Sequence, residues 1–426
     1  MPETRPAPVP VTAPAAPTPP TATPPTTAPL PAAPPPAREV WFAAWPVVAL
    51  FILSNAAMPL YAVWQRQLGF RSGTLTLVYA AYVAGLLGAL LVAGVAADRL
   101  GRKPVLVPAL LLGIVACLLY ATAPSVAVLA VARLLTGAAT GAAVSAGMAA
   151  VTDLAAGRRT GPLLASAAMV LGAGIGPVLA GVLSETVPAP TVTVFVVEAA
   201  LLVTALAVVA RMPLPPRRAG AGASGPSGSW VRLPAVPRDN RRHLALGLAA
   251  FAPGISATAF VLSLGPSLLS GLLGTTNRAL PGGLALAMFL AATGVQFALG
   301  RRAVRTVLLT AGGATVSAGL AMVAAVHTGT LPPLIAAVIL AGAGQGAGQL
   351  GGLTLLSREV PATRRAEANA ALNAGGYVLA GALPVADGYL SDAIGLPSAA
   401  TTFGLAVAAL AAAGAVLVAV RGGDAR

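Results

Sequence analysis

From Trp41 onward the chain is a succession of long apolar runs separated by short polar breaks. A helix needs about 20 apolar residues to cross a hydrocarbon core of about 30 Å. Runs of that order fall near 41–63, 74–97, 104–123, 125–150, 161–184 and 190–210. They fall again near 243–272, 281–299, 303–326, 331–356, 366–390 and 396–420. Composition agrees with a membrane setting. Hydrophobic residues make up 57% of the 426 and charged residues 9%, where a soluble domain carries about 25% charged residues. That much apolar surface cannot all be hidden from water, so a large part must face lipid. Abundant Gly (48 residues) and few aromatics (4%) suit helices packed closely through small residues. The expectation is an all-α membrane protein of twelve transmembrane helices.

Two stretches stand apart. Residues 1–38 form a Pro/Ala/Thr-rich tract, which predicts a disordered or polyproline-like cytoplasmic tail. No short basic region precedes the first apolar run, so the tract does not read as a signal peptide. The break at 211–242, with Pro215, Pro216, Gly220, Gly222, Gly225 and Ser227, divides the runs six and six. It predicts an N-terminal bundle over 39–210, a cytoplasmic linker, a C-terminal bundle over 243–420 and a short tail at 421–426.

Basic residues cluster in alternate breaks. The rich ones hold Arg99, Arg102 and Lys103; Arg158 and Arg159; Arg211, Arg217, Arg218, Arg232, Arg238, Arg241 and Arg242; Arg301, Arg302 and Arg305; and Arg358, Arg364 and Arg365. The others hold only Arg66, Arg71 and Arg278. By the positive-inside rule the rich breaks and both termini are cytoplasmic. This alternation accounts for most of the net charge of +14, so nucleic-acid binding is not needed to explain it. Arg outnumbers Lys 25 to 1, which with the Ala, Gly and Pro content suggests a GC-rich bacterial genome and a plasma (inner) membrane location. The single cysteine, Cys117, rules out an intrachain disulfide framework and a Cys-based metal cluster, and is expected to be a small buried hydrophobe.

The two halves repeat. Gly101-Arg102-Lys103 after the second run recurs as Gly300-Arg301-Arg302 after the eighth. Pro177-Val178-x-x-Gly181-x-Leu183-Ser184-Glu185 recurs as Pro384-Val385-x-x-Gly388-x-Leu390-Ser391-Asp392. Duplicated halves moving about a central site are the architecture of alternating access.

The second break reads Gly94-x-x-x-Asp98-Arg99-x-Gly101-Arg102-Lys103, which resembles the signature loop of the major facilitator superfamily. Arg133-Leu134-Leu135-Thr136-Gly137 in the fourth run is similar to the family's second motif. Gly172-x-x-x-Gly176-Pro177-x-x-Ala180-Gly181 in the fifth is similar to the motif associated with drug–proton antiporters. It departs at Ala180, where the family often has Gly. The resemblance covers residues 41–420 and implies two pseudo-symmetric six-helix bundles around a midplane cavity. It also places Asp98 near Ala366–Asn369 at the start of the eleventh helix, where exposed N–H groups and the helix dipole favour an anion. Such a contact would latch the outward-facing state, with Arg99, Arg102 and Lys103 tuning it or merely setting topology. Gly94 and Gly101 remove side chains where backbones must approach or turn.

Three charges lie within spans. Arg133 is about eight residues from the outer end of its run, too deep for ordinary snorkelling. With Thr136, Gly137, Thr140, Gly141 and Ser145 it forms one small polar stripe expected to face the interior. Proton coupling or anion recognition and structural pairing are its alternative roles. A carboxyl in apolar surroundings can take up and release protons near neutral pH, which makes Asp387 and Glu198 candidates for the coupling proton. A structural or interfacial role stands beside this one for Glu198. Gly172, Gly176 and Ala180, at i, i+4 and i+8, predict a tight packing face or a seal between halves. Asn55, Tyr61, Gln345, Gln349, Asn369 and Asn373 are the candidate cavity residues, with interhelical hydrogen bonding as the alternative.

Gly346-x-Gly348-x-x-Gly351 matches a dinucleotide fingerprint by letter, but lies inside an apolar run with no strand before it. No P-loop, nucleophile elbow or metal-ligand set is present; His243 and His327 sit at span ends. The sequence therefore predicts a non-enzyme without metal or cofactor. The leading expectation is a monomeric secondary transporter that exports a small, fairly apolar compound against protons. A proton-coupled importer of a sugar or metabolite is the alternative, and a non-transporting membrane sensor the alternative of another class.

Overall fold

A computed structural model describes residues 37–154, 161–212, 230, 236–275, 277–361 and 364–421. All but the last two residues of the predicted 1–38 tail lie outside these, as do Arg158, Arg159, Arg217, Arg218, Arg232 and residues 422–426.

Twelve long helices account for nearly all described residues. They are α1 (Trp41–Leu68), α2 (Ser72–Leu100), α3 (Lys103–Ala121) and α4 (Val126–Val151). Next come α5 (Gly161–Thr186), α6 (Pro190–Arg211), α7 (Arg241–Leu273) and α8 (Ala279–Leu299). The last four are α9 (Val304–Thr328), α10 (Leu331–Glu359), α11 (Arg365–Ile394) and α12 (Leu396–Arg421). Eleven are apolar enough to cross a membrane by length and composition alone. The exception is α11, which carries Asn369, Asn373, Asp387 and Asp392 among its apolar residues.

Two local features depart from the predicted spans. The run read as 41–63 continues to Leu68, because Pro59 turns the chain through a 3-10 segment at Met58–Leu60 before the helix resumes. In α4, residues Ala143–Gly147 form a π-helical turn, a widening of the kind often found at functional sites. At the α2–α3 corner Gly101 has φ 99°, a conformation that a Cβ would strain. Gly94 has nothing within 4 Å of where a Cβ would sit, so the close approach expected there is not made in this conformation.

Packing partners repeat with a shift of six helices. In the first half α1 packs on α5 and α6, α2 on α4, and α3 on α4 and α6. In the second, α7 packs on α11 and α12, α8 on α10, and α9 on α10 and α12. Lys103 at the start of α3 donates to the Ala210 carbonyl at the end of α6 (2.9 Å). Arg305 at the start of α9 likewise donates to the Ala419 carbonyl of α12 (3.0 Å). Each cation meets the negative end of a helix dipole. The halves meet chiefly through α2 against α11 and α5 against α8.

Glycine sets the tightest of these contacts. Gly85 lies against the Leu134 backbone, Gly137 against the Tyr82 carbonyl and Gly141 against Leu86, so α2 and α4 touch backbone to backbone. The letters of the apparent dinucleotide fingerprint serve the same purpose: Gly346, Gly348 and Gly351 face Ala292 of α8, Ala250 and Phe251 of α7, and Leu308 of α9 respectively. Replacing Gly137 by Val is expected to force the two helices apart at a cost of about 1–3 kcal/mol. Gly88→Ala, in open space, should leave stability within about 0.5 kcal/mol. Thermal unfolding of the purified protein in detergent compares the two.

Candidate functional site

The α2–α4 approach brings an aromatic cage over Arg133. Tyr79 and Tyr82 are one turn apart on α2, and their ring centroids lie 5.3 and 4.8 Å from the guanidinium carbon. Tyr61 of α1 adds a third ring at 5.8 Å. One guanidinium N–H donates to the Ser54 carbonyl (2.8 Å), while Nε is buried without a partner. Arg133 is 2% exposed, and among the described residues no carboxylate pairs with it. Guanidinium stays charged in any protein environment, so burial is offset by ring faces and a carbonyl dipole. Each cation–π contact of this kind contributes about 0.5–2 kcal/mol.

The polar stripe of α4 is buried against its neighbours rather than lining an open surface. Thr136, Thr140 and Ser145 donate to carbonyls one turn back in their own helix, Ala132, Thr136 and Gly141. Tyr61, placed among the cavity residues by the sequence, is 1% exposed and belongs to the Arg133 cage. In this conformation the ring lies just after the 3-10 turn at Met58–Leu60, within the core of the first half. Beyond it, Trp64, Tyr120 and Phe195 stack with centroids 4.5 to 5.9 Å apart, joining α1, α3 and α6.

Glu198, one turn from Phe195 on α6, is fully buried and neither of its carboxyl oxygens has a hydrogen-bond partner. Asp387 on α11 is 5% exposed, and its Oδ2 is buried without a partner. One carboxylate is on α6 within the first half, and the other is on α11 of the second half, which packs against α2 of the first.

The remaining cavity candidates fall into separate groups. Asn55 donates to Ser54 Oγ (3.1 Å) and the Ala173 carbonyl (3.4 Å), tying α1 to α5. Gln296, which sequence reasoning passed over, donates to the Gly346 carbonyl (3.2 Å) and to Gln349 Oε1 (3.5 Å) between α8 and α10. Gln345 Oε1 and Asn369 Oδ1 are buried acceptors with no donor. Asn373 donates to the Asn369 carbonyl (3.0 Å), and Tyr377 follows one turn on. The signal for Tyr79, Tyr82 and Tyr377 was helical spacing, from each other or from Asn373.

The antiporter-type pattern divides between two neighbours. Gly172 and Gly176 face Val48, Phe51 and Ile52 of α1, within the first half, and Ala180 is fully buried. The crossing to α8 uses the adjoining face: Gly174 against Leu286, the Pro177 carbonyl against Gly282, and Gly181 against Arg278 and Ala279. In this conformation Gly172 and Gly176 make the tight-packing contact within the first half, while Pro177 and Gly181 of the same motif meet α8 of the other. In the signature loop, Asp98 has a side chain 57% exposed and pairs with Arg102 (3.4 Å), not with the start of α11. Arg99 lies over the Trp230 ring, 4.8 Å from its centroid. Among the described residues no group of His, Cys, Asp or Glu is placed to hold a metal ion.

Twelve helices with six-helix repeat packing and a few buried charges define a secondary transporter of the membrane. Residues 40–330 match the family model of the Major Facilitator Superfamily, and the chain belongs to that superfamily. No curated protein sequence matches it. Among solved structures it is similar to a variant of the nucleoside transporter NupG, with TM-score 0.70 and 15% identity over 89% of this chain and 99% of the other. It is similar also to a bacterial homolog to the human lysosomal transporter Spinster in an inward-facing, occupied conformation, with TM-score 0.68 and 14% identity over 90% and 96% of the two chains. At that identity the likeness establishes the fold.

The cage generates a test. Tyr82→Phe keeps the ring face and loses only the hydroxyl's contacts with Thr140 and Ser54, so it should lose less stability than Tyr82→Leu, whose lost cation–π contact should cost about 0.5–2 kcal/mol more. Combining Tyr82→Leu with Arg133→Leu should remove that difference, which a double-mutant cycle of unfolding measures.

Proposed function

We propose that this carrier exports a small, fairly apolar organic compound in exchange for protons, by alternating access. Asp387 carries the reading. It is a nearly buried carboxylate with no counter-charge among the described residues, on a helix that packs against the opposite half. A group that gains and loses a proton during a cycle couples to it when its surroundings change as the halves move. Arg133 is the second charge of this machinery, and Glu198, sealed inside the first half, is a secondary candidate. Export as the direction rests on the resemblance of α5 to the drug–proton antiporter pattern, of which Pro177 and Gly181 lie where α5 meets α8. The few charges within the spans disfavour phosphorylated or multiply charged substrates.

In this reading residues 39–210 and 243–420 are the two moving bundles, joined by a cytoplasmic linker at 211–242. The Arg-rich ends face the cytoplasm of a bacterial cell, and the carrier works as a monomer. The exposed Asp98 engages the start of α11 once the Arg-rich ends close. Proton-coupled import of a metabolite is the second reading, and the likeness of fold to a nucleoside transporter supports it.

Inverted vesicles energised with a proton gradient decide between them. A panel of lipophilic compounds should dissipate the gradient with the parent protein, and both Asp387→Asn and Arg133→Ala should abolish the response. Silence from the parent across the panel, with uptake of a metabolite in right-side-out vesicles, would replace export by import.

A further inference from the structure

At the Arg-poor end of the bundle, two carboxylates reach across between the halves. Asp392, at the end of α11, accepts from the backbone N–H groups of Ser72 (2.9 Å, Oδ1) and Gly73 (3.0 Å, Oδ2), the first two residues of α2. Glu185, at the end of α5, accepts from the backbone N–H of Arg278 (2.8 Å), the N-cap residue just ahead of α8. Arg278 answers with its guanidinium, which donates to the Ser184 carbonyl (2.8 Å). Glu185 and Asp392 occupy the same place in the internal repeat, so the two contacts are copies of one device related by the shift of six helices.

The first turn of a helix has N–H groups without intrahelical partners and the positive end of the dipole. A carboxylate there makes charge-assisted hydrogen bonds, roughly twice as strong as neutral ones. At α2 no side chain of its own half caps the first residues, and Asp392 of the other half completes them. At α8 the N–H groups of Ala279 and Leu280 are met by Asn277 Oδ1 of the same half (2.8 and 3.3 Å), and Glu185 of the other half adds the N–H of Arg278, just ahead of the helix.

We infer that Asp392 and Glu185 are paired gate-closing residues, which hold the Arg-poor face shut and must release α2 and α8 each time it opens. Small residues beneath them let the helices meet: Gly388 lies against Thr76 and Ser72, and Gly181 against Arg278. At the other end of the α2–α11 pair Asp98 is exposed and, among the described residues, bonded to Arg102 alone, so in this conformation the pair is tied at the Arg-poor end. The inference uses alternating access but neither the direction of transport nor the substrate.

The test reads conformation, so it stands apart from any transport assay. In full-length protein carrying Cys117→Ser and reconstituted in lipid nanodiscs, two single-cysteine reporters are compared by maleimide labelling. Thr76→Cys sits in the closed seam at 0% exposure. Ala370→Cys is exposed at the opposite end of α11, five helical turns from Gly388 and on the same face. Asp392→Asn and Glu185→Gln should each speed labelling at Thr76→Cys roughly tenfold and slow it at Ala370→Cys. The double variant should exceed either, and Asp392→Glu should restore the parent pattern. Labelling that rises at both reporters, with a fall in melting temperature, would make the two carboxylates structural caps and overturn the gate. Unchanged labelling in both folded variants would overturn it equally.

Discussion

Backbone contact between helices, made possible by missing side chains, is the condition on which this structure rests. In lipid there is no hydrophobic gain in bringing helices together, so dispersion and close dipoles must hold them. The α2–α4 pair is the clearest case. Gly85, Gly137 and Gly141 let the two backbones touch, and that distance is what lowers Tyr79 and Tyr82 onto the Arg133 guanidinium. Glycine here is an electrostatic residue at one remove. It determines how near a ring face can come to a charge that could not be buried by itself.

The same economy of side chains governs the seams between the halves. Gly174, Gly181 and Gly388 allow α5 to meet α8 and α11 to meet α2, and carboxylates at the ends of α5 and α11 supply the polar contacts. Smooth, small-residue surfaces hold by short-range packing, which is lost over a fraction of an ångström. Charge-assisted bonds hold at a few defined points. A molecule that must part cleanly along one plane and re-form there is well served by this combination, because no interlocking side chains have to be withdrawn.

Much of the fold was legible because a membrane helix has one dominant signature, a run of about 20 apolar residues. Eleven helices carry it plainly. The twelfth, α11, was read as the run at 366–390 like the others, although its polar residues dilute the apolar signal, and the Pro384–Asp392 copy of Pro177–Glu185 lies within it. The site was less legible for physical reasons. Arg133 announced itself as a charge in a span, but its partners Tyr79 and Tyr82 look like ordinary lipid-tolerant residues until the α2–α4 distance is known. The 3-10 turn at Met58–Leu60 and the π-helical turn at Ala143–Gly147 depend on tertiary packing that no local pattern encodes. Just after the first of them, Tyr61 is buried in the core of the first half in this conformation. Glu185 and Asp392 were visible only as aligned letters of a repeat, with nothing in the sequence to say which helix ends they would meet.

The absence of a counter-charge beside Arg133, among the described residues, has an electrical consequence. A paired arginine would be a dipole, nearly blind to the voltage across the bilayer. A guanidinium held by ring faces and a carbonyl remains a net positive charge inside the membrane field. A full traverse of that field by one elementary charge is worth about 2.3 kcal/mol per 100 mV. Whatever fraction of the field Arg133 crosses when the first half tilts, the resting potential biases the carrier's two orientations by the same fraction of that energy. The charge that the tyrosines keep in place is also a charge on which the membrane voltage acts.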